Sequence, residues 1–246
     1  MRIQIICKVL VWVEAMNHNE WDDCFLLHQR SHGETSLIAD VFTKKNGKIS
    51  IIAKGAKKPK SKYFGYLSPF VKLKITYSGR SDLKTLTNID RDFSYSSNNL
   101  SKTTYSLLYI NELLVRLLPK DAAQEDLFNL YENFLIDIHS GDDVELTLRH
   151  FEFDLLDLLG YGLNFDSEIN EDKFIDPNKT YSFIPESGFS ESKASNFSGK
   201  DIINIKNRKL SEVSKKHLKL IAQKAIHFCL DGRDLSSREI FRKIQS

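Results

Sequence analysis

The chain has 246 residues, of which 41% are hydrophobic, and it carries 35 Lys and Arg against 33 Asp and Glu. This length suits one large domain or two small ones, and the hydrophobic fraction is sufficient for a packed core. Only three cysteines occur, without a Cys-x-x-Cys pair, so a disulfide framework and a zinc finger are unsupported and a reducing cytoplasm is expected. The sequence has no run of about 20 apolar residues, so no membrane-spanning helix is expected.

The small net charge of +2 conceals an uneven distribution along the chain. Residues 44–91 hold thirteen Lys and Arg against two Asp, residues 121–180 hold three against sixteen Asp and Glu, and residues 199–246 hold twelve against five. Two basic segments therefore flank an acidic one, which indicates a polyanionic partner for the basic part. The alternative is that the acidic middle neutralises the basic ends within the fold.

Residues 1–20 are interpreted as an N-terminal extension. Arg2 and the mostly apolar stretch that follows it resemble a signal peptide, but Lys8 interrupts the apolar stretch and no small-residue cleavage site follows. Two interpretations stay open. In the first, Met16 is the natural start and the first fifteen residues are a start-site extension. In the second, these residues form an added edge strand.

Residues 21–95 predict a small β-barrel. The segment VKLKITY alternates strictly, with Lys72 and Lys74 on one face and apolar side chains on the other. The dipeptide Asn46-Gly47 is a strong hairpin signal between ETSLIADVF and KISIIAK. Five such short strands within about 70 residues, with no helical period, favour closure into a barrel, because closure removes unpaired strand edges.

Residues 96–246 predict a helical domain, so the fold class is α+β. Pro119 ends the first helix, and Gly160 is expected to cap the third. Residues 164–200 are rich in Asn, Ser, Pro and Gly and predict a long irregular loop without cysteine, with a short hairpin near YSFIPESGF. Apolar residues recur at helical spacing within residues 98–118, 125–141, 143–162 and 210–232.

The sequence carries no recognisable catalytic or metal-binding motif. The patterns GxxxxGK[ST], HExxH and GxSxG are absent, and Gly160-Tyr161-Gly162 follows a helix, which is the wrong context for a dinucleotide-binding loop. His28 and His32 are four residues apart but have no further ligands nearby in the sequence. We therefore expect no enzyme activity, no metal and no cofactor.

The strongest functional signal is the basic segment AKGAKKPKSKYFGYL, residues 53–67. A basic face with aromatic side chains on a small barrel is typical of single-stranded nucleic-acid binding, in which cations neutralise phosphates and rings stack on bases. Tyr63, Phe64 and Tyr66 are candidates for stacking, with a role in the core left open, and Phe70 is expected in the core. Candidate phosphate contacts are Lys54, Lys57, Lys58, Lys60, Lys62, Lys72, Lys74, Arg80 and Lys84.

Several motifs occur in order along the chain, namely ETS (34–36), AKGA (53–56), SPF (68–70), SGRSDLKTLT (78–87), LYINELLVRLLP (108–119), LRHFEFDLLDLLGYGLNF (148–165) and SREIF (237–241). Together they resemble the bacterial recombination-mediator family RecO, from about residue 25 to residue 243. The resemblance implies an OB-fold N-terminal domain followed by a helical domain. It also implies that the protein binds single- and double-stranded DNA, anneals complementary strands and, with RecR, helps RecA to replace single-stranded DNA-binding protein (SSB), in the cytoplasm at the nucleoid.

The resemblance further implies a site in the helical domain for the acidic, Phe-ending tail of SSB. Arg149 and Lys216 stand at the family's basic positions, and Leu155 and Leu159 would line its apolar pocket. The alternative for Arg149 is an ion pair with a glutamate three or four residues away on its own helix. Many members of the family carry a four-cysteine zinc site in the region that matches 164–195, where this chain has no cysteine, so it resembles the zinc-free branch.

Three other functions compete with this interpretation. An OB-fold RNA-binding protein would show the same barrel, and an adaptor that binds only proteins would use the same charged surfaces. A nuclease would need carboxylates beside the basic face to hold a metal ion, yet residues 44–91 contain only Asp82 and Asp90.

Overall fold

A computed structural model describes residues 20–92, 100–140, 143–169, 173–195 and 197–238. Residues 1–19, and with them both interpretations of the N-terminal extension, lie outside the described residues. The chain divides into two compact units, Met1–Phe128 and Asn129–Ser246. The division falls later than the predicted domain boundary at residues 95 and 96, which stays a prediction.

Five strands close into a barrel in the first unit. They are β1 (Asp22–His32), β2 (Ser36–Thr43), β3 (Gly47–Ala53), β4 (Lys72–Ser78) and β5 (Leu83–Arg91). The strand order is β1-β2-β3-β5-β4, with β4 returning to β1, and every pair is antiparallel except β3 with β5. A small five-stranded barrel closed in this way is an OB-fold, which confirms the predicted fold of this region.

Alternating apolar residues of these strands build the barrel core. Buried and half-buried residues alternate along the whole of β3. In β4, Leu73 and Ile75 are fully buried, whereas Lys74 between them is exposed. Burial of each large aliphatic side chain contributes roughly 1.5–3 kcal/mol, so this pattern selects the register of each strand. The core comprises Cys24, Leu26, Ala39, Val41, Ile49, Ile51, Ala53, Ala56, Leu67, Leu73, Ile75 and Leu86.

The predicted hairpin signal at Asn46-Gly47 lies at the turn between β2 and β3, where Thr43 pairs with Gly47. Gly47 has φ +68°, and a Cβ there would lie 1.8 Å from the carbonyl oxygen of Ala122. Both the backbone conformation and the close approach therefore require glycine. The buried carboxylate of Asp22 accepts hydrogen bonds from the turn residues Lys45 and Asn46.

Helix α1 (Leu100–Leu117) contacts β1 of the barrel. Buried Asn111 donates from Nδ2 to the carbonyl oxygens of Leu26 (3.2 Å) and Leu27 (3.1 Å). These carbonyls lie at the irregularity of β1 between Leu26 and His28, where the ladder to β2 shifts register. Because a buried carbonyl without a partner is costly, Asn111 stabilises the bulge. This packing explains why the first helix belongs to the same compact unit as the barrel.

The second unit contains most of α2 (Glu125–Ser140), all of α3 (Val144–Leu158) and two further helices. These are α4 (Gly199–Lys206) and α5 (Glu212–Cys229), whose N-caps are Ser198 and Ser211. The cap side chains accept hydrogen bonds from the third residue of each helix. Within the described part of the chain, no helix has the length and apolar character needed to cross a membrane.

The segment predicted as an irregular loop contains a three-stranded sheet. Strands β6 (Thr180–Ile184) and β7 (Gly188–Glu191) form the predicted hairpin, and β8 (Phe197–Ser198) was not predicted. The strand order is β7-β6-β8. A chain of ring contacts, each about 5.3–5.6 Å between centroids, links the hairpin to α3 through Phe153, Phe165, Phe189 and Phe183. Aromatic packing thus orders a segment whose polar composition alone predicted a loop.

Candidate nucleic-acid interface

The basic arm, residues 54–62, begins the turn-rich connection from β3 to β4. It is fastened to the tip of the β1–β2 hairpin. The amide of Lys57 donates to the carbonyl oxygen of Thr35 at 2.9 Å, and the amide of Gly55 donates to Oγ of Ser36 at 3.3 Å. Gly55 has φ +73°, in agreement with the tight turn predicted for it. The base of the arm is therefore held against the barrel.

The five lysines of the arm (Lys54, Lys57, Lys58, Lys60 and Lys62) are all exposed. None of them forms an ion pair with a residue that the structure describes, and their recorded polar contacts are to neutral oxygens. The ammonium of Lys62 lies 2.6 Å from the carbonyl oxygen of Thr87, and that of Lys57 lies 3.3 Å from the carbonyl oxygen of Gly33. The positive charge of the arm is therefore not offset locally.

The lysines of the barrel strands have acidic neighbours. Lys72 pairs with Asp23 at 3.3 Å. Lys74 lies in register between Asp23 of β1 and Asp90 of β5, and directly opposed residues of this kind interact across the ladder. Lys84 pairs with Asp121 at 2.5 Å. Eight of the nine predicted phosphate contacts thus separate into five uncompensated lysines of the arm and three strand lysines with acidic neighbours.

Arg80 belongs to neither group of lysines. It is exposed in the turn between β4 and β5. It forms no ion pair within the described part of the chain, so its charge resembles those of the arm.

The aromatic residues at the end of the basic segment differ in burial. The hydroxyl of Tyr63 lies 3.0 Å from the carbonyl oxygens of Leu86 and Thr87, and its ring packs against the barrel core. Phe70 is buried at 7% exposure, as predicted. Phe64 is 52% exposed. The sequence left stacking and a place in the core open for Phe64, and its exposure agrees with the first.

In the second unit, Arg149 takes the alternative that the sequence left open. Its guanidinium lies 2.5 Å from the carboxylate of Glu152, and the two side chains are 8% and 0% exposed. Leu155 is fully buried, so it lines no open pocket here. Lys216 is exposed on α5, and Leu159 is half-buried. Of the four residues predicted for the tail site, Arg149 and Leu155 are therefore internal, and only Lys216 is fully exposed.

A small groove of about 180 Å³ lies on the neighbouring face of α3. Phe153, Phe165 and Leu218 form its apolar lining, with His150 and Arg208 beside them. Burial, reinforced by the positive charge of Arg208, lowers the pKa of His150 below its usual range. The groove combines apolar walls with His150 and Arg208, but Arg208 pairs with Asp154 at 2.6 Å and Asp157 also lines the groove. The described residues include no group of three or more His, Cys, Asp or Glu able to hold a metal ion.

The closed barrel with this strand order places the first unit in the OB-fold class. Comparison with known proteins is more specific. The family models described as Recombination protein O N terminal and Recombination protein O C terminal match residues 16–91 and 99–239.

Curated relatives cover nearly the whole chain. A DNA repair protein RecO of Alteromonas mediterranea is 32% identical over 91% of this chain and 97% of its own length. One of Pasteurella multocida is 35% identical over 90% of this chain and 94% of its own length. The chain therefore belongs to the recombination protein O family.

Proposed function

We propose that the protein is a DNA repair and recombination mediator that binds single- and double-stranded DNA and anneals complementary strands. The observation that carries this proposal is the basic arm, whose five exposed lysines have no carboxylate partner among the described residues. Lysines in water that bind phosphates release the counterions condensed on DNA, which drives association. Membership of the recombination protein O family supports DNA as the polyanion.

In the proposed mechanism the arm holds the sugar-phosphate backbone and leaves the base edges free to pair. Contacts to phosphates position a strand without reading its sequence, and neutralisation of charge lets two polyanions approach each other. Phe64, with its exposed ring, is the aromatic residue that we propose for stacking on a base. Tyr63 is assigned to the core because its hydroxyl and ring are both engaged by the barrel.

We further propose that the protein acts with RecR to help RecA load onto SSB-coated single-stranded DNA, in the cytoplasm at the nucleoid. Family membership supports these partners. The tail of SSB is proposed to bind the second unit. Because Leu155 is fully buried, we place the terminal phenyl ring of the SSB tail in the groove of Phe153 and Phe165. The exposed cation of this proposed site is Lys216, two residues before Leu218 of the groove.

Arg149 contributes to tail binding only if the tail carboxylate displaces Glu152 from it. Glu152→Gln would then raise affinity for a tail peptide and Arg149→Ala would lower it. If both variants, measured on folded protein, bound the peptide as the wild type does, Arg149 would be purely structural. Phe153→Ala tests the groove independently, since it removes a wall without touching the ion pair.

The decisive experiment is strand annealing with and without SSB. The wild type is compared with a variant of the arm, Lys57/Lys58/Lys60/Lys62→Ala. A matched control, Lys173/Lys179/Lys193/Lys206→Ala, removes four positive charges from the second unit. We expect the arm variant alone to lose annealing. Equal rates for the arm variant and wild type would refute the proposed interface, and a preference for RNA over matched DNA single strands would favour an RNA-binding protein.

A further inference from the structure

The outward face of α5 is a second basic surface, separate in sequence from the arm. Lys216, Lys224 and His227 are exposed on it, and three large apolar side chains alternate with them. These are Val213 (55% exposed), Leu220 (47%) and Phe228 (42%). All six residues follow the three- and four-residue spacing that puts them on one side of a helix. Exposed apolar side chains grouped on one helix face in this way are typical of a binding surface.

The charge of this α5 face is positive. Neither Lys216, Lys224 nor His227 forms an ion pair with a described residue. The other lysines of the helix are compensated instead, because Lys215 pairs with Asp143 at 2.8 Å and Lys219 with Glu145 at 2.8 Å. The two uncompensated lysines, Lys216 and Lys224, lie about 12 Å apart along the helix axis, at 1.5 Å per residue. This spacing lets both reach one linear polyanion.

An open groove of about 610 Å³ adjoins the C-terminal end of the α5 face. Its rim carries the rings of Phe228 and Tyr161, the latter 45% exposed, with Lys224 and His227 beside them. Two carboxylates also line it. Asp231 pairs with Arg233 at 2.9 Å, which leaves Glu186 as the acidic side chain of the rim. Exposed rings next to cations are the elements of a stacking platform for bases.

We infer that the outward face of α5 and its adjoining groove form a second contact surface for single-stranded DNA. The cations bind phosphates, and the rings of Phe228 and Tyr161 stack on bases. The inference rests on the proposed function, since annealing requires that two strands be held together. It accounts for the second basic segment, residues 199–246, which the arm leaves unexplained. Aromatic rings next to uncompensated lysines favour DNA over an acidic peptide as the occupant of this surface, and Lys216 is the one residue that it shares with the proposed site for the SSB tail.

The test uses the full chain and a labelled oligothymidylate of about ten nucleotides, a length within the site size of one OB-fold. The affinity of four variants for this oligonucleotide is measured at several salt concentrations and compared with that of the wild type. They are the arm variant, Lys216/Lys224→Ala, the combination of the two, and the arm variant carrying Lys173/Lys193→Ala as a control of equal charge. A second readout is photocrosslinking with 5-iodouracil in the same oligonucleotide, with cross-linked residues identified by mass spectrometry.

We expect the arm variant to retain salt-dependent binding that the combined variant loses by about tenfold or more. The slope of log affinity against log salt should fall by about 1.4, because each phosphate contact on a single strand contributes about 0.7. Lys173/Lys193→Ala on the same background should leave the residual binding unchanged. Cross-links in the arm variant should map to Phe228 or Tyr161.

Equal residual binding by the arm and combined variants, or cross-links confined to the barrel, would overturn the inference. The same holds if Lys216/Lys224→Ala loses affinity for an acidic peptide but keeps that for the oligonucleotide, because the face would then dock a protein. Failure of the proposed function is distinguishable, since the arm variant would then bind the oligonucleotide as tightly as the wild type.

Discussion

The basic arm and the buried pair of Arg149 with Glu152 use positive charge in opposite ways. The lysines of the arm lie in solvent without carboxylate partners, whereas the guanidinium of Arg149 is 8% exposed and 2.5 Å from its carboxylate. A solvated cation stays available to replace the counterions of a phosphate, but a buried one costs several kcal/mol unless it is paired. Exposure and pairing, rather than residue type, therefore separate the candidate ligand-binding cations from structural ones.

The largest expected effect comes from breaking the buried pair. Arg149→Ala leaves the carboxylate of Glu152 buried without its cation, so the free energy of unfolding should fall by about 3–5 kcal/mol. Urea denaturation measures this change. The double variant Arg149→Met/Glu152→Leu should recover much of the loss, because it removes both charges. A double variant as unstable as the single one would show that the pair itself, and not the buried charge of Glu152 without Arg149 beside it, sets stability.

Neutralising the arm should change DNA affinity without changing stability. For Lys57/Lys58/Lys60/Lys62→Ala, the slope of log affinity against log salt on single strands should fall by about 2.8, at about 0.7 for each phosphate contact. Titrations at several salt concentrations measure it, and the urea midpoint should match that of the wild type. An unchanged slope would remove the arm from the DNA interface.

The two aromatic residues that follow the arm, Tyr63 and Phe64, should differ in whether they contribute to DNA affinity or to stability. Phe64→Ala should weaken single-stranded DNA binding by roughly 1–3 kcal/mol if its ring stacks on a base. Tyr63→Phe should instead lower the free energy of unfolding by roughly 0.5–1.5 kcal/mol, because it removes the hydroxyl that bonds to the barrel. Fluorescence anisotropy and thermal unfolding on both variants test the division. The reverse pattern would exchange the two roles.

Lysines of the strand face sharpen the comparison because they have acidic partners. Lys84→Ala removes the ion pair with Asp121, whose side chain is 44% exposed, and a pair open to solvent contributes about 0.2–1 kcal/mol to stability. We expect a change of that size in the urea midpoint and a smaller loss of DNA affinity than for Lys58→Ala. A greater loss for Lys84→Ala would mean that DNA displaces Asp121.

The smallest expected effect is a pH dependence from His150. Burial and Arg208 lower its pKa in the folded protein, although Asp154 and Asp143 oppose the shift. The unfolded chain therefore binds the proton more readily, and stability should fall as the pH drops below about 6.5, the usual pKa of histidine. His150→Gln should show less of this decline. Urea midpoints at about pH 7.5 and about pH 5.5 measure the difference between the two proteins.

The strands of the barrel were predictable because half-buried strands alternate with a period of two. In VKLKITY the period alone separates Leu73 and Ile75 from Lys74, and the structure confirms that separation. The sheet of residues 180–198 was predictable only in part, as the hairpin of β6 and β7. Its third strand has two residues, too few for a period, and it forms by pairing with β6, where Phe197 lies opposite Tyr181.

Among the candidate site residues, local sequence identified the arm but not the state of each charge. The sequence predicts Lys58 and Lys84 alike as phosphate contacts. In the structure Lys58 is exposed without a described acidic partner, whereas Lys84 is bound to Asp121, 37 residues away. Arg149 was assigned to an open site on the strength of its motif, and the structure places it beside Glu152 in the interior. Long-range pairing of this kind leaves no periodic signal.

The sequence by itself determined the order of barrel and helices, the concentration of charge in residues 44–91 and 199–246, and the family resemblance. These follow from local periodicity, composition and motif order. Only the tertiary structure decided which cations are free, which of Tyr63 and Phe64 is exposed, and that α5 presents an uncompensated basic and aromatic face. Such properties depend on which distant residues meet in space, because pairing and burial act through distance and not through position along the chain.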